Sequence, residues 1–332
     1  MCSNQTDQTQ REQPDPRPGI PCSAPGSRIT AWLALLRVPN LLTVPGDPVA
    51  GAFLAAAAGG SVPGKNPLLL CPAASLCLYA AGLLANDYFD RQEDARERPD
   101  RPLPSGRVPA PAALGVAVLL TAAGLVLAAM AGRSAAATAT VLALAAWSYN
   151  AGLKRIRWIG PLTMGLCRAA SFLLGAATLG LSALATPTVL LSAIALALFI
   201  AFVTNIARNE TRAVAIPFRS LAVLPLLLLL WFGAILFAPA LNAGTAFRSP
   251  PGGFALLLAA MPVVWVTLLL APLAGQPSPA LVQRTIGGLI RGLVLVQAAL
   301  CAASGRTGEA PALLLLAAFP VSGWLGRWSK GS

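Results

Sequence analysis

The chain has 332 residues, 56% hydrophobic and only 11% charged, against about 45–50% and about 25% in an ordinary soluble domain. This composition excludes a soluble globular enzyme, so the net charge of +12 is read by where it falls between apolar segments, and no nucleic-acid partner is expected. Histidine is absent and the six cysteines show no C-x-x-C spacing, which excludes a histidine general base, a zinc centre and a disulfide framework and leaves carboxylates, hydroxyls, amides and cations for any chemistry.

Residues 1–27 are rich in Gln, Pro, Asp, Ser and Gly without apolar periodicity, and are expected to form a disordered cytoplasmic tail rather than a secretory signal. The first span runs from Ile29 to about Ala58 and is interrupted at V-P-N-L-L-T-V-P-G-D-P. Prolines and a glycine there open the helix hydrogen-bond ladder, which is tolerated at membrane depth only where the backbone is buried or lines a cavity. Asn40 and Asp47 sit in that interruption. Apolar stretches of about twenty residues then predict helices at 68–87, 110–131, 135–151, 160–181, 186–206, 219–240, 253–273, 284–303 and 310–326. The expected fold is all-α, a polytopic membrane bundle of nine or ten helices occupying residues 28–332, with Ala and Gly letting backbones approach closely.

Between the second and third helices lies N-D-Y-F-D-R-Q-E-D-A-R-E-R-P-D-R-P-L-P-S-G, residues 86–106, which holds six of the chain's twelve carboxylates. If the helix continues through Asp94, then Asp87, Asp90 and Asp94 share one face. Such a stripe repels itself and calls for a cation. Magnesium, held typically by one or two carboxylates plus phosphate oxygens and water, is one answer, with Asn86 adding an amide oxygen. The other is a solvated acidic cap neutralised by Arg91, Arg96, Arg98 and Arg101.

A second polar cluster opens with Tyr149 and Asn150 and continues through Lys154, Arg155 and Arg157. Arg168 lies about eight residues into the following apolar span, where an isolated charge costs several kcal/mol unless it pairs or faces a cavity. Its expected partners are a carboxylate of the acidic stretch, Glu210, or bound phosphate. Nineteen of the 24 lysines and arginines fall in the tail, the 88–109, 152–159 and 207–219 loops, around Arg284 and Arg291, and at the C-terminus, whereas the alternate loops carry one each (Lys65, Arg133, Arg248 and Arg306). The bias places the acidic stretch on the cytoplasmic side, most simply of the plasma (inner) membrane.

The order N-D-x-x-D-x-x-x-D followed by R-P-L-P-S-G resembles the first aspartate motif of the UbiA superfamily of intramembrane prenyltransferases. The block from Tyr149 to Gly175, Y-N-A-G-L-K-R through G-P-L-T-M-G-L-C-R, resembles that family's next block and looks closest to the UbiA-like proteins of the Ebo clusters. The resemblance implies transfer of a prenyl group from an isoprenoid diphosphate to a hydrophobic, by expectation aromatic, acceptor in the lipid bilayer. Asn86, Asp87, Asp90 and Asp94 would then hold Mg2+, and Arg98, Arg101, Lys154, Arg155 and Arg168 would contact the diphosphate. Asp87, Asp90, Asp94 and Lys154 form the catalytic set, with Asn40 and Tyr149 as further substrate contacts; Asn40 matches an asparagine of the family's first helix. Residues 204–212, T-N-I-A-R-N-E-T-R, depart from the family. Asn205 and Asn209 stand where a second D-x-x-x-D motif is expected, so that with Glu210 they form at most a weak second metal site, which Arg208 and Arg212 would supplement by contacting phosphate. The departure keeps open a non-catalytic protein of the same fold that binds or moves an isoprenoid or amphipathic precursor across the membrane. A CDP-alcohol phosphatidyltransferase is disfavoured because its D-G-x-x-A-R opening is missing.

Overall fold

The computed structural model describes residues 28–208, 218–241, 252–275 and 277–328, so the expected tail, together with Asn209, Glu210 and Arg212, lies outside the described residues. Helices make up most of these segments. The interrupted first span forms α1 (Arg28–Leu36), α2 (Val38–Leu41) and α3 (Gly46–Ala58). Next come α4 (Lys65–Glu97), α5 (Ala110–Ala131), α6 (Arg133–Ala151), α7 (Ile159–Ala176), the short α8 (Leu181–Leu184) and α9 (Pro187–Ala207). The chain closes with α10 (Phe218–Leu241), α11 (Gly253–Leu270), α12 (Pro279–Ala303) and α13 (Arg306–Trp328).

Eight helices among the described residues are long and apolar enough to cross a membrane. The 19-residue α6, diluted by Ser, Thr and Asn, and the 23-residue α13, which contains Pro311 and Pro320, are the two further long helices among the described residues, consistent with the nine or ten expected from the sequence. Large side chains point outward, among them Leu119, Met130 and Leu268, each more than 60% exposed. Such a surface suits lipid rather than water, and in lipid the cohesion between helices comes from close packing. That packing is visible where α3 crosses α7. A Cβ at Gly51 would stand 2.0 Å from the Phe172 carbonyl oxygen, and one at Gly175 would stand 1.8 Å from the Pro48 carbonyl oxygen. The two glycines therefore bring the backbones into contact, and Phe172 with Phe199 and Trp231 fills the largest apolar cluster beside them.

Two local features position the site. The first is the overshoot of α4, whose 33 residues reach about 50 Å at 1.5 Å per residue, beyond a hydrocarbon core of about 30 Å. The helix stops at Arg98, which precedes Pro99 and is therefore biased out of the helical region. All three stripe aspartates thus lie on one helix. The second is the break between α1 and α3. Arg37 alone among the described non-glycine residues has a positive φ (47°) and turns the chain there. The Thr43 carbonyl, freed by the break, accepts from the Arg168 guanidinium and from Gln297 Nε2 at 2.7 Å.

Candidate active site

Two chambers lie end to end beside α4. The outer one, about 380 Å³, is polar and is lined by Asn86, Asp90, Glu93, Asp94, Glu97, Arg98 and Arg101, with Arg37 across from them. The inner one, about 410 Å³, exposes mostly apolar surface, walled by residues such as Leu78, Leu142, Met164, Ile200 and Ile290, with Asn40, Tyr79, Tyr149 and Arg168 among its polar groups. Arg37 and Asn86 line both chambers and so mark where they meet.

The carboxylates of the stripe are neutralised from a distance along the sequence. Asp87 Oδ1 lies 3.3 Å from Arg37 Nη2 and 4.0 Å from Arg101 Nη1. Asp94 Oδ2 accepts from Arg101 Nη1 at 2.7 Å. Asp90 Oδ1 meets Lys154 Nζ at 2.5 Å, and the same ammonium donates to Asn86 Oδ1 at 3.2 Å. Of the four arginines weighed as a local neutralising set, Arg101 carries out that role toward Asp87 and Asp94. Arg91 instead donates to the Tyr88 carbonyl at 2.8 Å and stacks over its ring.

The R-P-L-P-S-G stretch is a tight loop, not a helix. Ser105 Oγ donates back to the Arg101 carbonyl at 2.7 Å, and Gly106 takes a φ of 73°, which a side chain would disfavour. Leu103 and Val108 are buried against α1, α4 and α5, which anchors the loop and returns Arg101 to the acidic face.

The expected site residues separate into three groups. Asn86, Asp90, Asp94, Arg98 and Arg101 line the outer chamber, and Lys154 reaches it from the turn after α6. Asn40 and Tyr149 line the inner one. The others lie elsewhere. Asp87 is 7% exposed and lines neither chamber, so the four expected metal ligands do not converge as one set. Arg155 is exposed and also lines neither. Arg168 borders the inner chamber as an inward-facing charge, but its partner is Asp47, with Nε 2.6 Å from Oδ2, rather than a carboxylate of the acidic stretch. Gln297 closes this buried group by donating to Asp47 Oδ1 at 2.7 Å. Asn205 is exposed near the end of α9. Arg208 donates to the carbonyls of Lys154, Ile156 and Arg157, not toward the chambers.

Sequence reasoning missed Arg37 and Tyr79 as site residues. The signal for Arg37 was its place directly before the V-P-N break, where a helix must turn. No group of three or more carboxylates or thiolates among the described residues is gathered closely enough to form a metal cage by itself. The donor set still suits a hard cation completed by ligand oxygens, because Asp90, Asp94 and the Asn86 amide oxygen face one chamber.

Residues 48–284 match the UbiA prenyltransferase family. The digeranylgeranylglyceryl phosphate synthase of Ignicoccus hospitalis is 35% identical over 150 residues, which are 45% of this chain and 47% of that protein. The chain spans about half the length of the curated relatives it matches, and these do not carry the Ebo-cluster likeness read from the 149–175 block. Among solved structures, a UbiA homologue from Aeropyrum pernix K1 superposes with a TM-score of 0.59 at 19% identity, covering 78% of this chain and 96% of that one. A UbiA homologue from Archaeoglobus fulgidus bound to DMAPP and Mg2+ gives 0.53 at 16% identity, covering 81% and 98%. At these identities the likeness speaks for the fold. The match itself begins within α3, takes in both chambers' principal walls and ends within α12, and on it the chain belongs to the UbiA prenyltransferase family.

Proposed function

We propose that residues 28–332 form a prenyltransferase unit that holds an isoprenoid diphosphate across the two chambers, with its diphosphate in the outer one and its chain in the inner one. The observation that carries this reading is the junction itself: a polar chamber holding carboxylates and arginines opens, at Arg37 and Asn86, onto an apolar chamber inside the bundle. An allylic diphosphate has that division of character within one molecule. Its carbon–oxygen bond ionises when the charge developing on the leaving group is stabilised.

Magnesium fits the donor set described above, and a UbiA homologue from Archaeoglobus fulgidus is itself bound to DMAPP and Mg2+. Asp90, Asp94 and Asn86 would hold it, and once bound it supplies charge to the diphosphate oxygens. The protein's own groups do the rest. Arg98 and Arg101 offer planar forks for bidentate contact with phosphate oxygens, and Lys154 offers a point charge. In the unliganded arrangement Arg101 and Lys154 rest on Asp94 and Asp90. On binding, these two side chains would exchange carboxylate partners for phosphate partners. Asp87 keeps Arg37 in place at the junction. The inner chamber's apolar walls exclude water from the carbon that becomes electron-poor.

The acceptor lies within reach of that carbon. An aromatic acceptor is one reading; a phosphorylated glyceryl lipid, as in the digeranylgeranylglyceryl phosphate synthases that the chain resembles in part, is the other. The likeness to Ebo-cluster proteins rests on the 149–175 block alone. The cytoplasmic placement of the outer chamber rests on the charge bias between loops.

The test is to incubate membranes containing the protein with radiolabelled prenyl diphosphates of several lengths and a cell lipid extract, with and without magnesium. A labelled lipid that forms only with both the protein and magnesium supports transfer. Saturable binding of the diphosphate with no labelled product under any combination favours a carrier.

A further inference from the structure

The end of α9 makes contacts that the proposed reaction does not use. Arg208 follows the last residue of that helix and is half-buried. Its guanidinium donates to the carbonyls of Lys154, Ile156 and Arg157, the last two across 52 and 51 residues of sequence. These carbonyls belong to the short turn between α6 and α7, formed by a single 3-10 segment, Leu153–Arg155. The Ile156 carbonyl also accepts from the Gly160 N–H at 3.0 Å, but the Lys154 and Arg157 carbonyls accept from no backbone N–H among the described residues, and a guanidinium, with five N–H donors in a fixed plane, is the side chain best able to satisfy several at once.

The same turn is held from its other side. A Cβ on Gly160, in the first turn of α7, would lie 2.8 Å from the Lys154 carbonyl oxygen and 3.0 Å from its Cα, so α7 packs directly on the backbone of Lys154. Lys154 is thus fixed at both faces of its peptide while its side chain, 14% exposed, runs to Asp90 and Asn86.

We infer that Arg208 is a positioning residue that sets the Lys154 ammonium at the mouth of the outer chamber by clamping the backbone of the 154–157 turn. The inference deepens the proposed function, because it rests on Lys154 meeting the diphosphate. It also gives the end of α9 a part to play in a chain where Asn205 and Asn209 replace the expected carboxylates. Here that helix end supports the first site mechanically, through a cation turned onto backbone. The alternative from the sequence, direct contact between Arg208 and phosphate, makes a different prediction in every arm of the test below.

The first arm needs no substrate. The chain has three lysines, and Lys65 is exposed at the start of α4, so it serves as an internal reference for Lys154. Detergent-purified protein is treated briefly with an amine-acetylating reagent, and modification at the two sites is measured by mass spectrometry. Arg208→Gln is expected to raise Lys154 acetylation several-fold relative to Lys65, because the released turn frees the ammonium from Asp90. An unchanged ratio in folded Arg208→Gln protein overturns the inference, whatever happens to binding.

The second arm is a double-mutant cycle on magnesium-dependent binding of geranylgeranyl diphosphate, using Lys154→Met and Arg208→Gln singly and together. Arg208→Gln is expected to weaken binding in the native background and to add no loss in the Lys154→Met background. An equal further loss there means that Arg208 meets phosphate itself and overturns the inference. If Lys154→Met binds like the native protein, the reading of Lys154 as a diphosphate contact fails while the acetylation arm still decides the clamp. Should Arg208→Gln not fold, Arg208→Lys takes its place in both arms: its single ammonium keeps the charge but cannot span three carbonyls. Native behaviour of Arg208→Lys in both arms also overturns the inference.

Discussion

The buried pair of Arg168 and Asp47 gives the sharpest prediction about what holds the bundle together beneath the inner chamber. Their side chains are 9% and 0% exposed, and Nε lies 2.6 Å from Oδ2, so neither charge is screened by solvent. Asp47 also accepts from Gln297 on α12, which ties α3, α7 and α12 at one point. Removing one member of such a pair leaves the other charge buried without a counterion. Arg168→Met alone, or Asp47→Leu alone, should therefore destabilise the protein by about 3–5 kcal/mol, whereas apolar replacement of both is expected to be near neutral. In the double variant the Gln297 amide loses one acceptor but keeps the Thr43 carbonyl, which limits that loss to about one hydrogen bond, or roughly 1 kcal/mol. Thermal unfolding of the four detergent-solubilised proteins reads the cycle directly, with both singles melting well below the double. Diphosphate binding by the double variant adds a second reading. If binding stays native, the Arg168 charge serves the fold; if it is lost while the protein remains folded, Arg168 reaches phosphate as the sequence first suggested. A double variant no more stable than either single would refute the assignment of a coupled pair.

Three further outcomes are expected. Asp90→Ala should abolish magnesium-dependent diphosphate binding while the protein stays folded in the membrane, and retained binding would remove Asp90 from the metal set. Gly175→Ala places a methyl group 1.8 Å from the Pro48 carbonyl oxygen, so the α3–α7 contact must open, with a loss of about 1–3 kcal/mol or more read by thermal unfolding; an unchanged midpoint would mean that this crossing is looser than described. Cysteines placed at the exposed positions Ser105 and Ser61, in a background with the native cysteines replaced, should react with an impermeant thiol reagent from opposite sides of the membrane, and reaction of both from one side would contradict the proposed orientation.

What the sequence made legible was governed by local rules. The ten helices follow from runs of apolar residues matched to membrane thickness. The break at residues 38–48 follows from its prolines, and the shared face of Asp87, Asp90 and Asp94 follows from a helix that runs on to the residue before Pro99. What the sequence did not make legible was governed by which helices pack together. Arg37 meets Asp87 across 50 residues and Gln297 meets Asp47 across 250, and no spacing rule links them. Lys154 and Arg155 are neighbours of the same charge, yet Lys154 turns inward to Asp90 on α4 and Arg155 faces the exterior, a difference set by how the turn between α6 and α7 packs on its neighbours. Charge type alone could not separate them. Arg168 was legible as inward-facing from its cost in lipid, but its partner came from the interrupted segment of the first span, whose Asp47 had been noted only for its position.

The most direct measurement of the central claim is where the chain of a bound isoprenoid diphosphate lies. A geranylgeranyl diphosphate carrying a photoreactive diazirine at its hydrocarbon end, bound in the presence of magnesium and then irradiated, should label residues of the inner chamber such as Leu142, Met164 and Ile290. That labelling should be competed away by unmodified diphosphate and lost in Asp90→Ala. Labels confined to the outward, lipid-facing side chains such as Leu119 and Met130, or labels insensitive to competition, would contradict a diphosphate seated across the two chambers.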